Sequence, residues 1–214
     1  MSLVKLIARA DERALAASGL ASLDRCLPLL AEENDVLRPL WAGVQGGERD
    51  WPDRLTEART ALDEAIEADA AAGLDTEVTA ADVTAELVRS LLGSAPAQWS
   101  AEPLRAWADT CSVVALEIHQ KLDAVGDASG DPAAADRLAR CREDRTAVPD
   151  AVDGAEGGDG VGPLVAGELR RQIRILEILT ETEGPAGLRQ ALDVSTEGQR
   201  VLRAVVSRRA RARS

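Results

Sequence analysis

The clearest structural signal in this sequence is the stretch from residue 100 to residue 121, which reads SAEPLRAWADTCSVVALEIHQK. Apolar side chains recur in it every three or four residues, the spacing that places them along one face of an α-helix. They are Leu104, Trp107, Cys111, Val114 and Ile118. Ser100 is a suitable N-cap and only Lys121 interrupts the apolar seam. The stretch therefore predicts a long amphipathic helix that ends before Gly126.

The same helical spacing recurs along most of the chain, and no segment shows the alternation typical of a strand. Glycine-rich or polar stretches separate the helical segments, most clearly PDAVDGAEGGDGVG at residues 149–162. The pattern predicts an all-α fold, a helical bundle of about seven to nine helices. We expect an acidic helical bundle over residues 1–145 and a flexible Gly/Asp linker over 146–163. A C-terminal helical hairpin over 164–214 is expected to pack on the bundle or on a second copy.

The composition limits the chemistry available to the protein. The 214 residues include no Phe, no Tyr and a single histidine, His119. His119 follows Ile118 on the predicted helix, so it lies about 100° away from the apolar seam. We expect it at the solvent or the helix flank, where Asp123 could pair with it. Abundant Arg and Ala are typical of a high-GC bacterium, which can explain part of the missing Phe and Tyr.

The cysteine pattern and the hydropathy indicate a cytoplasmic protein. Cys26, Cys111 and Cys141 are an odd set without CxxC spacing, which favours reduced, buried thiols over a disulfide framework. Asp11 and its neighbours interrupt the N-terminal segment before it could form the apolar core of a signal peptide. No run reaches the roughly 18 apolar residues that a membrane span needs. We therefore expect no membrane contact.

The formal net charge of −12 is carried by residues 1–145, whereas the remaining residues are balanced. An acidic surface disfavours binding to nucleic acid, which is itself a polyanion. The last residues differ, because no acidic residue follows Glu197. Four arginines of this tail are candidate contacts for an anionic partner, including nucleic acid as an alternative function: Arg208, Arg209, Arg211 and Arg213.

Carboxylates are the most abundant reactive groups, and they suggest an alternative function. Glu64 and Glu67 share a helix face at i,i+3, and Asp82 and Glu86 share one at i,i+4 on the next helix. Two such faces could bind Mg²⁺, which prefers carboxylate and water oxygens. The segment 64–67 resembles the first half of the metal site of helical nucleotide pyrophosphohydrolases, a Glu-x-x-Glu followed by a Glu-x-x-Asp. The second half is absent, because Asp82 and Glu86 have a different spacing. The resemblance implies a magnesium-dependent nucleotide hydrolase.

The function we expect is binding to a protein partner or to a second copy, without catalysis and without a cofactor. No Ser, Cys or His nucleophile–base pattern appears in the sequence. The helix predicted after residue 163 has an unusually broad apolar face, as expected of a central or interfacial helix. The tryptophans are expected as core anchors or, where exposed, as interface anchors. The candidate interface residues are Leu169, Ile173, Leu176, Leu179, Trp41 and Trp51.

Overall fold

The fold is seen in a computed structural model that describes residues 1–29, 36–71, 80–123, 133–144 and 161–213. Within the helices, the side chains of residues 65–71, 80–85, 210, 212 and 213 are not described. Across these ranges the chain forms nine α-helices and no strand, which confirms the predicted all-α class. Residues 146–160 of the linker predicted over 146–163 lie outside the described residues.

The described helices follow one another along the chain. They are α1 (Leu3–Arg9), α2 (Glu12–Cys26), α3 (Arg38–Gly46), α4 (Trp51–Ala71), α5 (Ala80–Gly93), α6 (Ala101–Asp123), α7 (Ala133–Glu143), α8 (Pro163–Glu181) and α9 (Gly184–Arg213). Two 3₁₀ turns, Leu27–Leu29 and Gly47–Arg49, extend α2 and precede α4. The first of these contains Pro28, which cannot donate the backbone hydrogen bond that an α-helix needs.

Helix α2 lies at the centre of the bundle, where it packs chiefly against α6 and α9 and also against α8. Most of its residues are buried, and alanines on several faces let the neighbouring helices approach closely. Gly19 is the position on α2 where the Trp107 ring of α6 approaches the backbone. A Cβ at this position would lie 2.7 Å from the Trp107 ring of α6, so the indole packs directly on the α2 backbone.

Three tryptophans form a second packing centre near the ends of α4, α5 and α6. The Trp51 ring makes edge contacts with Trp99 and Trp107, with ring centroids 5.5 and 6.0 Å apart. The Trp51 indole N–H donates to the Pro96 carbonyl at 2.7 Å. The Trp107 indole N–H likewise donates to the Leu91 carbonyl at 2.9 Å. The two buried indoles of the cluster are therefore both hydrogen-bonded to the segment that leads from α5 to α6.

An aspartate at the end of α6 caps the start of α8. The Asp123 carboxylate accepts hydrogen bonds from the backbone N–H groups of Leu164 and Val165, both at 3.0 Å. Gly162 is the N-cap residue, and a Cβ there would lie 2.3 Å from this carboxylate. A negative group at a helix N-terminus is favourable because it satisfies free N–H groups and the helix dipole. Asp123 is therefore a cap, and not the histidine partner that its spacing suggests.

The C-terminal hairpin packs on the other helices of the same chain. Helix α8 lies against α6, α2 and α1, and α9 lies against α2 and α8. The α8 side chains Leu169, Ile173 and Leu176 belong to the main hydrophobic core. The helix has a broad apolar face because it is covered on more than one side.

Candidate functional site

A cluster of polar side chains lies inside the core, between α2 and α8. The side chains of Arg25 and Glu168 are buried almost completely, at 1% and 0% exposure. The guanidinium donates from Nε to Glu168 Oε2 at 2.7 Å and from Nη2 to Glu168 Oε1 at 2.6 Å. This two-point pairing joins residues 143 positions apart in sequence. It is the geometry in which an arginine–carboxylate pair is strongest.

The cluster continues from Glu168 to α6. The Gln172 amide donates to Glu168 Oε1 at 2.8 Å, and its own oxygen accepts from the Ser112 hydroxyl at 2.6 Å. The same amide nitrogen also donates to the Ser112 carbonyl at 3.3 Å. Gln172 therefore places both ends of its side chain in hydrogen bonds that connect α8 to α6.

His119 belongs to this cluster, and the expectation that it lies on a solvent-facing flank is wrong. Its residue exposure is 3%, and its Nε2 lies 3.8 Å from Glu168 Oε2. Nδ1 lies 2.7 Å from the Ala115 carbonyl, a contact that requires a hydrogen on Nδ1 because a carbonyl only accepts. The reason is packing. Helix α6 is covered by α2 and α8 on different sides, so Ile118 and His119 are both buried despite their angular separation.

A second branch of buried polar groups connects α2 to α9. Asp24 accepts from the Ser195 hydroxyl at 2.7 Å, and its backbone carbonyl accepts from the Gln199 amide at 2.8 Å. Burial raises the pKa of Asp24 to about 6, against the opposing effects of the Ser195 hydrogen bond and of Arg25. The Trp41 indole N–H also favours the ionised carboxyl, although it has no partner within hydrogen-bond geometry.

The electrostatics of the Arg25–Glu168 pair are governed by burial and by mutual attraction. Burial by itself would raise the pKa of Glu168, but Arg25 and then His119 hold it below its usual value. Burial would likewise lower the pKa of Arg25, but Glu168 keeps it above the ordinary value. The two groups therefore remain a charged pair, and neither is available as a proton donor or acceptor near neutral pH.

The cysteines are buried and unsuited to nucleophilic chemistry, as predicted. Each of the three cysteines has at most 6% exposure. Burial raises the pKa of Cys26, and the nearby Glu168 raises it further. Burial also raises the pKa of Cys111 and of Cys141. Because the thiolate is the reactive form, burial lowers the reactivity of these groups at neutral pH.

Most of the candidate interface residues lie in the chain's own core, where helices of the same chain cover them. Leu169, Ile173, Leu176 and Trp51 have 3% exposure or less. Leu179 and Trp41 are partly buried and pack against the same core. Helices α1, α2, α6 and α9 of the same chain pack against α8 and cover its apolar face. A partner cannot reach the buried residues unless these helices separate.

The four candidate magnesium ligands are only partly described. Glu64 on α4 and Glu86 on α5 are exposed, and Glu86 pairs with Arg89 at 3.0 Å. The side chains of Glu67 and Asp82 lie outside the described residues. Among the side chains that the structure does describe, no three His, Cys, Asp or Glu residues are arranged to hold a metal ion.

The arginine tail forms the last turns of α9. Arg208 and Arg211 are exposed, whereas Arg209 is partly buried and donates from Nη2 to the Leu122 carbonyl near the end of α6. The side chain of Arg213 lies outside the described residues. Helix C-terminal carbonyls attract cations, so Arg209 helps to hold α9 against α6. Within the described ranges, no helix combines the length and apolar character needed to cross a bilayer.

A small cavity adjoins the polar cluster. It lies between α1, α2, α6 and α8, and Arg25, Ser22, Ser112 and Gln172 contribute to its wall. Its volume is about 10 Å³, close to what one water molecule requires. The cavity is far smaller than the roughly 300–1,000 Å³ of ordinary ligand pockets.

The described helices define an all-α bundle whose core contains an arginine–glutamate ion pair with polar extensions to α6 and α9. No protein-family model matches the chain, and no curated protein or solved structure matches it either.

The polar cluster was missed by sequence reasoning, although the sequence carries a signal for it. Glu168 and Gln172 are four residues apart and occupy positions of the apolar stripe that runs through Val165, Leu169 and Leu176. Polar residues at stripe positions indicate buried hydrogen-bonding groups, because such groups are seldom left unpaired. Their partner Arg25 could not be chosen among the arginines from periodicity alone.

Proposed function

We propose that the protein acts by binding a protein partner through its outer surface and does not convert a substrate. The observation that carries the proposal is the burial of the histidine, the thiols and the Arg25–Glu168 pair. Arg25 and His119 are buried and each lies against the buried Glu168, and the three thiols are buried with raised pKa values. The adjoining cavity has room for about one water and not for a substrate. These features support a structural role for the polar core.

The charge of the protein favours a basic partner. The formal net charge is −12, and electrostatic complementarity accelerates association and suppresses partners of like charge. Helix α4 presents Asp53, Glu57 and Glu64 as exposed residues four and seven positions apart, a spacing that places them on one helix face. We name Asp53, Glu57 and Glu64 the α4 acidic face. Its partner would be a protein that presents lysine or arginine.

Affinity purification from the native host, followed by binding measurements with the purified partner, tests the proposal. The informative variant reverses the α4 acidic face to lysine. Its matched control reverses three exposed acids near the α8–α9 turn, Glu181, Glu183 and Asp193. We expect the first variant to weaken binding by roughly tenfold, with less salt dependence, and the control to have little effect. Equal effects of the two variants would remove α4 from the proposal, and the absence of any specific partner protein would overturn it.

The alternatives stay predictions and have their own measurements. Calorimetry with Mg²⁺ and Mn²⁺ and a nucleotide-hydrolysis screen test the site at Glu64, Glu67, Asp82 and Glu86. Metal binding together with nucleotide hydrolysis would show that the protein is a hydrolase and would overturn the proposed binding function. The salt dependence of any DNA binding tests the arginine tail, because each neutralised phosphate steepens that dependence. Light scattering tests whether the partner is a second copy.

A further inference from the structure

The cavity beside the polar cluster has a mixed wall. Leu3 and Ile7 of α1 contribute apolar surface, whereas Ser18, Ser22 and Arg25 of α2 contribute polar surface. Ser112 of α6 and Gln172 of α8 add further polar groups. Apolar cavities stay empty of water, but a cavity with several polar partners and a volume near 10 Å³ is suited to one water molecule.

The hydroxyl hydrogens of the cavity serines are already used. Ser18 donates to the Leu15 carbonyl at 3.0 Å, and Ser22 donates to the Ser18 carbonyl at 3.1 Å. Ser112 donates to the Gln172 side-chain oxygen at 2.6 Å. A hydroxyl has one hydrogen and two lone pairs, so each serine oxygen still has capacity to accept. The serines therefore offer acceptors to whatever occupies the cavity.

Arg25 has the opposite need. Its Nε and Nη2 hydrogens are used by Glu168 and, at 3.4 Å, by the Ser22 oxygen. Its Nη1 is buried and has no hydrogen-bond partner among the described residues. An unpaired N–H of a buried charged group is destabilising, so native cores rarely leave one unsatisfied. Nη1 requires an acceptor.

We propose that the cavity binds a single water, which accepts from Arg25 Nη1 and donates to the serine oxygens. The occupant must both accept and donate, and water does both in about this volume. An anion such as chloride would accept from Arg25 but would face the serine lone pairs. Arg25 is moreover already neutralised by Glu168 at 2.6 Å. The water completes the hydrogen bonding of the ion pair and bridges α2 to α6, independently of the proposed partner binding.

A crystal structure of the full chain, with a parallel bromide soak, tests the occupant. We expect one oxygen peak about 2.7–3.2 Å from Arg25 Nη1 and no anomalous bromide signal there. An empty cavity, or a bromide peak at Nη1, would overturn the proposal.

Two matched substitutions on α6 provide a test in solution. Ala108 lines the cavity, so Ala108→Ser adds a hydroxyl where the water lies; Ala115 is equally buried but does not line it. We expect A108S to lose one long-lived water in oxygen-17 relaxation dispersion with little change in Tm. A115S should keep the water and lower Tm, because its hydroxyl enters packed core. Equal water counts in wild type and in a folded A108S would contradict the proposal.

Discussion

The buried carboxyl of Asp24 makes the stability of the protein depend on pH in a direction unusual for an aspartate. Burial raises its pKa from 3.8 to about 6 in the folded state. Between these two values the folded chain holds a proton that the unfolded chain has lost. The contribution of Asp24 is therefore fully present below about pH 4 and is lost as the pH rises through 6. At pH 7 the ionised carboxyl costs about 3 kcal/mol, because each pKa unit corresponds to about 1.4 kcal/mol.

Asp24→Asn removes this cost. Its side-chain oxygen can still accept from Ser195, which lies 2.7 Å from the carboxyl in the native protein. We expect the variant and the wild type to have similar stability near pH 4 and the variant to be more stable at pH 7. The gain is at most about 3 kcal/mol, since the new amide would face the Trp41 indole N–H, which is also a donor.

Urea unfolding followed by circular dichroism, at several values from pH 4 to pH 8, measures the difference in unfolding free energy. The quantity of interest is variant minus wild type, in which the titration of Glu168 and the other shared groups cancels. Asp193→Asn is the control, because Asp193 is exposed on α9, the helix that carries Ser195. A difference that does not change with pH, or a variant less stable at pH 7 than the wild type, would refute the reasoning.

Three further predictions concern the core. Glu168→Gln leaves Arg25 as an uncompensated buried charge and should lower the unfolding free energy by about 3–5 kcal/mol, as measured by urea unfolding. Replacing both Arg25 and Glu168 by Met should recover most of the lost unfolding free energy. Gly19→Ala places a Cβ 2.7 Å from the Trp107 ring, so it should lower the unfolding free energy by about 1–3 kcal/mol and alter the tryptophan emission. The control Gly93→Ala has no atom within 4 Å of its new Cβ and should change neither quantity in this way. The three thiols should react with Ellman's reagent only after denaturation, because burial suppresses their thiolate forms; a thiol that reacts rapidly in the native state would contradict this.

The helices were predictable because their periodicity is local. The seam from Leu104 to Ile118 predicted α6, which the structure describes over Ala101–Asp123. The exposure of His119 was not predictable from the same seam. A helical wheel assumes one buried side, whereas α6 contacts α2 on one side and α8 on another.

The central position of α2 was also hidden in the sequence. Its buried faces carry Ala14, Ala16, Ala17 and Ala21, whose small side chains give only a weak contrast between faces. The Arg25–Glu168 pair was out of reach for another reason. It joins residues 143 positions apart, and only the tertiary packing of α2 on α8 brings them together.

The cap that Asp123 places on α8 has a consequence for how the chain could be divided. It fixes the start of α8 to the end of α6 by two hydrogen bonds between residues 41 and 42 positions apart. The ion pair of Arg25 with Glu168 and the bond of Ser195 to Asp24 attach α8 and α9 to α2 in the same way. Recognition between residues 1–144 and 161–214 is thus encoded in side chains of the helices themselves. Two polypeptides cut between these ranges and expressed together should therefore reassemble into the native bundle.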